Sequence, residues 1–315
     1  MVIIGIESSC DETAVALVEE GKRVLSSEVA SQQDIFALYG GVVPELASRQ
    51  HLEVIVPLFR LSLQRSGTSL LSVNAVAATV KPGLSGSLLI GENFGRAVAQ
   101  ALEVPFLPVD HLEAHLAVNF LSGLPHFPAL GLVISGGHSS LFFITGPNQF
   151  EILGDTRDDA AGEAFDKVAR LLSLPYPGGP PLERLAASAK EKIHFPVPFV
   201  RHSYDFSFSG LKTAVAYYLK ENPGADKASV AAGFQEAVAQ ALVRKLDYAF
   251  RQKKVKTVLT GGGVMANKYL REKLAGWAEA RGVNLKVPEA SLSLDNGVMV
   301  AVRGYYLLSK NWASN

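Results

Sequence analysis

A two-part pattern occurs twice along these 315 residues and restricts the fold more than any other feature. Its first part is a three-strand meander, with apolar runs at Val2 to Glu7, Ala14 to Glu19 and Val24 to Val29, broken by Ser8-Ser9-Cys10-Asp11-Glu12 and by Gly21-Lys22. The meander returns as Leu130 to Ile134, Ser140 to Thr145 and Phe150 to Leu153, broken by Ser135-Gly136-Gly137-His138 and by Gly146-Pro147-Asn148. The second part is a buried strand feeding a glycine-rich loop and then a helix. In the first half it runs Ala75 to Val80, Pro82-Gly83-Leu84-Ser85-Gly86, Leu88 to Leu102; in the second it runs Thr257 to Thr260, Gly261-Gly262-Gly263, Met265 to Ala280. A duplicated α/β unit of this kind predicts two lobes with a cleft between them. The expected lobes are 1–127 plus 296–315, and 128–295. One glycine loop means little, because turns need glycine anyway; four in matching order point to phosphates held by backbone N–H groups of hairpin turns and helix N-termini. Neither a Walker pattern nor a strand-led dinucleotide fingerprint occurs.

Two stretches lie outside the repeat, Pro105 to Pro128 and Pro175 to Phe208, and both read as long irregular functional loops or lids. The second meander leads into a helical stripe of Ala161, Phe165, Val168, Ala169 and Leu172. A helix from Ala228 to Phe250 places Val230, Phe234, Val238, Ala241, Leu242 and Leu246 on one core-facing side and is given no chemical role. Apolar residues make up 48% and charged residues 19%, a balance that buries a large core and excludes a disordered chain. The single cysteine, Cys10, excludes a disulfide scaffold and suits a reducing cytoplasm. The N-terminal apolar run is cut at Glu7, and no later run approaches about 18 apolar residues, so neither export nor a membrane span is expected.

The net charge of zero is a cancellation. Residues 1–189 carry 11 Lys and Arg against 20 Asp and Glu, whereas residues 190–315 carry 19 against 10. The cationic part suits a polyanion such as nucleic acid and the acidic part suits a metal; pairing of the two parts with each other explains the same numbers.

His111 and His115 are spaced i, i+4, so a helix projects both imidazoles from one face. That spacing serves two metal ligands or two hydrogen-bonded helix histidines. It is not the zinc-protease pattern, since Leu112 follows His111 and Glu113 projects away from the pair. Asp295, next to Asn296-Gly297, is a candidate third ligand or a helix-cap residue. Asp11 and Glu12, in the first hairpin turn, are carboxylates for a general base or a metal-bound water, or are merely solvated. Ser135-Gly136-Gly137-His138 offers free amides where backbone can approach a ligand, or is simply a tight hairpin, with His138 structural. Asp205 to Thr213 alternates aromatic with hydroxyl and ends in a cation, which fits nucleic acid, phosphate or a half-buried strand. Cys10 has no nucleophilic partner and reads as a buried thiol.

Several of these strings, taken together and in order, resemble the bacterial tRNA threonylcarbamoyladenosine transferase family. They are Ile6-Glu7-Ser8-Ser9-Cys10-Asp11-Glu12-Thr13, Gly40-Gly41-Val42-Val43-Pro44-Glu45-Leu46-Ala47-Ser48-Arg49, His111 with His115, and Ser135-Gly136-Gly137-His138. They continue with Asp158-Asp159-Ala160-Ala161-Gly162-Glu163-Ala164-Phe165-Asp166-Lys167, Tyr176-Pro177-Gly178-Gly179-Pro180, Asp205 to Thr213, Gly262-Gly263-Val264-Met265-Ala266-Asn267 and Asp295-Asn296-Gly297. The resemblance spans nearly the whole chain. No peptidase constellation accompanies it.

The resemblance implies a duplicated actin-like, sugar-kinase-like (ASKHA) fold. It implies transfer of a threonylcarbamoyl group from threonylcarbamoyl-AMP to the exocyclic amine of the adenosine 3′ of the anticodon, in tRNAs reading codons that begin with A. By the same resemblance one divalent metal, iron or zinc, sits on His111, His115 and Asp295. An adenine nucleotide (threonylcarbamoyl-AMP, AMP or ATP) occupies the cleft. Substrate contacts map to Val133, Ile134, Ser135, Gly136, Gly137, Asp166, Gly179 and Asn267, and to Glu183, which stands where members often carry aspartate; Asp11 is the candidate base. Ser139 and Leu294 stand where threonine is frequent, and the chain ends soon after Trp312, where members run longer. Implied partners are tRNA, a shorter metal-less paralogue of the same fold, a small P-loop ATPase and an upstream synthase that supplies the adenylate, with no membrane. The competing readings are a small-molecule kinase of the same fold and a non-catalytic scaffold like that paralogue.

Overall fold

The computed structural model describes residues 1–309; Trp312 lies outside them. The chain divides into two units, Met1–Pro125 with the segment from Leu294 onward, and His126–Ser293. Each crossing lies two residues earlier than the repeat alone suggests, so Leu294 and Asp295 belong to the first unit. The reason is local: Asp295 is drawn to the two histidines of that unit.

In the first unit β1 (Val2–Glu7), β2 (Glu12–Glu19) and β3 (Arg23–Ser31) form the antiparallel meander, followed by α1 (Gln33–Tyr39) and α2 (Pro44–Ser66). Then come β4 (Val73–Lys81), α3 (Ser85–Ala101), β5 (Phe106–Asp110) and α4 (His111–Ala117). The strand order is β3-β2-β1-β4-β5, with β4 parallel to β1 and β5 parallel to β4. In the second unit β6 (Ala129–Ile134), β7 (Ser139–Gly146) and β8 (Gln149–Gly154) repeat the meander and lead to α5 (Ala161–Leu171), α6 (Gly179–Ala187), α7 (Ser209–Glu221) and α8 (Lys227–Lys253). There follow β9 (Thr257–Gly261), α9 (Lys268–Arg281), β10 (Asn284–Lys286) and α10 (Ala290–Ser293), after which the chain re-enters the first unit as α11 (Gly297–Leu308). The order β8-β7-β6-β9-β10 repeats that of the first sheet strand for strand. The duplication expected from the sequence is therefore present in the hydrogen-bonded topology.

The central strands explain why each unit holds together. Every residue of β1 and of β6 is buried, as a strand covered on both faces must be. In the first unit Ile4, Ile6, Val15, Leu17 and Val76 pack with Ile55 and Leu58 of α2. In the second, Leu130, Leu132 and Ile134 join the expected stripe of α5 and Phe234, Val238 and Leu242 of α8.

Three segments differ from the sequence expectation. Pro105 to Pro128 is not an irregular loop, because Asp110 ends β5 and starts α4 at once: its Oδ1 accepts from the amides of Leu112 and Glu113. The helix expected from Met265 is interrupted, since Asn267 caps α9 by accepting from Leu270 N at 3.0 Å and leaves a short 3₁₀ turn before it. Asp205 to Thr213 is neither a strand nor an aromatic surface. Phe206 and Phe208 are buried, and Asp158 accepts from Ser207 Oγ and from the amides of Phe208 and Ser209, which starts α7. Among the described residues no helix is long and apolar enough to cross a membrane.

Candidate functional site

The first unit brings together two histidines and one aspartate. His111 opens α4 because Asp110 caps it, and the i, i+4 spacing then stacks His115 one turn later, with ring centroids 4.5 Å apart. Asp295 arrives from the other direction, one residue before Asn296, whose Oδ1 accepts from Met299 N and so caps α11. The cap is Asn296, which leaves the Asp295 carboxylate for other work. Its Oδ1 lies 3.1 Å from His115 Nε2 and 3.7 Å from His111 Nε2, and one ligand atom from each residue falls within 4.8 Å of the other two.

The donor chemistry fits a divalent cation. His115 is fully buried, yet neither of its ring nitrogens completes a hydrogen bond of normal geometry among the described residues. Orphaned buried nitrogens are costly unless something else satisfies them. Two imidazoles and a carboxylate form a set that iron and zinc both accept. Burial, together with the neighbouring His111, lowers the His115 pKa, which keeps a neutral ligand ready. Burial also opposes charge on His111, but Asp295 and Glu7 outweigh it and push that imidazolium up to about 9. His111 must therefore release its proton before it can ligate.

Glu7 is a residue that sequence reasoning missed. It ends β1 fully buried, accepts from Ser9 N at 2.6 Å and Thr79 Oγ1 at 2.6 Å, and places Oε2 3.1 Å from His111 Nδ1. A carboxylate on Nδ1 fixes the ring and turns Nε2 toward Asp295. The signal is an acid ending an apolar strand, which in the sequence cuts the apolar run and belongs to one of the family-like strings but carries no assigned role. Glu7→Gln is expected to weaken metal affinity by roughly 10–100-fold with the fold intact, as read by competition with a chelator.

Glu113 points away from the histidines, as expected, and meets a partner that the sequence did not reveal. Arg303 of α11, 3% exposed, donates to Glu113 Oε2 through Nε at 2.9 Å and Nη2 at 2.7 Å. This pair fastens the histidine helix to the helix that follows Asp295. Glu113→Ala is expected to cost roughly 2 kcal/mol in denaturant unfolding, because it strips a buried guanidinium of a charged acceptor.

Asp11 lies in the β1–β2 turn, held by His51. The buried His51 ring donates from Nε2 to Cys10 O at 3.0 Å and accepts at Nδ1 from Thr13 Oγ1 at 2.7 Å. Burial and the charges of Asp11 and Asp295 push neighbouring Glu12 up to about 9, so Glu12 holds a proton at neutral pH. Cys10 is half-buried rather than fully buried as expected, and burial with the nearby carboxylates raises it further, which leaves an inert thiol.

The second unit gathers the glycine loops and the remaining candidates. Val133 and Ile134 are fully buried in β6, so their side chains belong to the core and only the turn after them is open. In that turn Ser135 N donates to His138 O at 2.9 Å and His138 N donates to Ser135 Oγ at 3.2 Å. Gly136 and Gly137 are exposed, and a Cβ on either would meet nothing. Gly162 and Gly262 differ. A Cβ there would lie 2.5 Å from Ser135 O and 2.4 Å from Ile134 O, so packing within the chain accounts for them. Packing gives no such reason for glycine at 136, 137 or 179, where bare backbone remains for a ligand. Asp166 Oδ1 accepts from Gly178 N at 2.7 Å, just before Gly179 opens α6. Asn267 Nδ2 donates to Gln235 Oε1 at 2.9 Å, and Glu183 Oε1 accepts from Lys268 N at 2.7 Å at the start of α9, next to Asn267 in the chain. In the first unit the Pro82 to Gly86 loop is used differently: a Cβ on Gly83 would lie 2.6 Å from Ser9 O, which also accepts from Leu84 N.

The sequence profile of the tRNA N6-adenosine threonylcarbamoyltransferase family matches residues 23–302. A curated tRNA N6-adenosine threonylcarbamoyltransferase of Symbiobacterium thermophilum is 50% identical over 310 residues, covering 97% of this chain and 91% of that protein. One of Geotalea uraniireducens is 47% identical over 317 residues, covering 99% and 92%. Among solved structures, HypF of T. kodakarensis superposes with a TM-score of 0.69 at 17% identity, over 98% of this chain and 48% of that one. The ROK hexokinase of Thermus thermophilus gives 0.54 at 15% identity, over 99% and 100%. These distant structures share the fold alone.

Proposed function

This chain belongs to the tRNA N6-adenosine threonylcarbamoyltransferase family, and from that membership we propose that it moves the threonylcarbamoyl group of threonylcarbamoyl-AMP onto the exocyclic amine of the adenosine 3′ of the anticodon, in tRNAs reading codons that begin with A. The observation that carries the reading is the donor set of buried His111 and His115 with half-buried Asp295, intact in a chain half identical to a curated transferase. A small-molecule kinase of the same fold has no use for that set, and a scaffold has no reason to keep it.

One divalent cation, iron or zinc, would be held by His111, His115 and Asp295, where it supplies charge neutralisation to the phosphate and carbamoyl oxygens of the mixed anhydride. The amides of Gly136 and Gly137, with Asp166, Gly179, Glu183 and Asn267, bind and orient the adenylate. Asp11 accepts the proton as the amine nitrogen bonds to the carbamoyl carbon and the bond from that carbon to the phosphate oxygen breaks, releasing AMP. Glu12 is a poor base in the same turn because it already holds a proton. The enzyme works in the cytoplasm with a shorter metal-less paralogue, a small P-loop ATPase and a synthase that makes the adenylate.

The test is mass spectrometry of nucleosides from unmodified tRNA incubated with threonylcarbamoyl-AMP, this chain, metal and the partner proteins. Threonylcarbamoyladenosine is expected. Its absence, with phosphoryl transfer to acetate, glycerol or a sugar instead, would establish the kinase reading; absence of both activities would leave a scaffold.

A further inference from the structure

The helix left without a chemical role carries an unassigned pocket on its polar side. α8 buries Phe234, Val238, Leu242 and Leu246, while Arg244, Asp247, Tyr248 and Arg251 line an open pocket of about 590 Å³ together with Phe199 and Arg201 from the irregular segment before α7. The charge there is lopsided: residues 244–256 carry six Lys and Arg against the single Asp247.

The pocket is fixed from beneath. Lys245 is 1% exposed, donates to the carbonyls of Val200 and Ser203 at 2.8 and 2.6 Å, and sets its ammonium 4.2 Å from the Phe199 ring centroid. That contact holds the segment bearing Phe199 and Arg201 against the helix. Asp247 is already engaged by Arg251, Arg281 and the Trp277 indole, so it aims an arginine rather than offering free negative charge. Arg201 and Arg244 are exposed and have no ion-pair or hydrogen-bond partner among the described residues. Phe199 is 41% exposed beside them.

Unpaired guanidinium groups match phosphate oxygens, and an exposed aromatic face stacks an unpaired base. A free anion would leave the ring unused, and an acidic protein would leave it wet. We propose that this pocket docks the tRNA substrate, with Arg201 and Arg244 on backbone phosphates and Phe199 under one unpaired base. The proposal rests on the functional reading above, since that reading makes RNA the ligand.

The test uses the full chain with its partners and an unmodified tRNA transcript, comparing wild type with Arg201→Ala/Arg244→Ala and with Phe199→Leu. Because both arginines are exposed and unpartnered, the double variant should melt like wild type. It is expected to raise KM for tRNA at least about tenfold with kcat within about twofold, and to flatten the log–log salt dependence of kcat/KM by about 1.5. Phe199→Leu is expected to raise KM about fivefold without changing the salt slope. Unchanged KM and slope in the double variant, with normal wild-type transfer, would overturn the pocket and leave the functional reading intact. Fluorescence anisotropy with the same transcript decides the pocket even if no transfer occurs: salt-dependent binding that the double variant loses supports it. Undiminished RNA binding by the double variant, with loss of an acidic protein partner instead, overturns it.

Discussion

Alanine in place of His115 is expected to lower threonylcarbamoyl transfer at least about 100-fold and to abolish stoichiometric metal binding, while barely moving the stability of the metal-free protein. Two opposed effects produce the small stability change. Deleting a fully buried ring leaves a cavity, which costs stability, but it also deletes an Nδ1 with no hydrogen-bond partner among the described residues, and such a group costs roughly 1–3 kcal/mol when left unmet. The metal-loaded proteins should then part company. A cation at 100 times its dissociation constant stabilises the folded state by about 2.7 kcal/mol, which raises Tm by roughly 5–10 °C in units of this size. Wild type should show that rise on titration with zinc or ferrous iron, and His115→Ala should show none. A variant that keeps both the metal-induced rise and full transfer would remove the three-residue site from the mechanism.

The architecture was legible because it rests on periodicity, and periodicity survives in one dimension. Both meanders fall within two residues of their expected ends, and the i, i+4 histidines lie on the helix that their spacing implies. What stayed hidden depends on pairs far apart in the chain. Glu7 and His111 are 104 residues apart, and Glu113 and Arg303 are 190 apart; nothing in either local sequence names the other. Local hydrogen bonds misled in the opposite sense. Asn267 interrupts an otherwise helical pattern because its side chain offers Leu270 N a better acceptor than the preceding turn does. The alternating pattern suggests Phe206 and Phe208 for bases, but Asp158 accepts from Phe208 N, the Phe206 backbone pairs with Asp155 O and Arg157 N, and both rings lie in the core. Arg201 and Arg244 were counted in the cationic C-terminal part, yet only the fold sets them beside Phe199.

The other large effect comes from a glycine that binds no ligand. Gly5 lies in the middle of β1, paired with Ala16 on one side and Ala77 on the other, and α11 crosses directly over it. A Cβ at Gly5 would stand 2.1 Å from Gly297 O and 2.4 Å from Ala301 N, and one at Gly297 would stand 2.8 Å from Gly5 O. These are backbone atoms, so no rotamer change relieves the clash. β1 cannot retreat, because it is central and buried on both faces. α11 can retreat only by moving its first turn, and only the cap residue Asn296 separates Asp295 from that turn. Gly5→Ala is therefore expected to lose more than about 3 kcal/mol, seen as a fall in Tm of roughly 6–12 °C or as insoluble protein, with metal affinity falling alongside. Gly276→Ala makes the same chemical change inside α9, where a Cβ meets nothing within 4 Å, and should raise stability by roughly 0.5–1 kcal/mol. If the two variants shift Tm in the same direction, close backbone contact between β1 and α11 is not what places Asp295 beside the histidines.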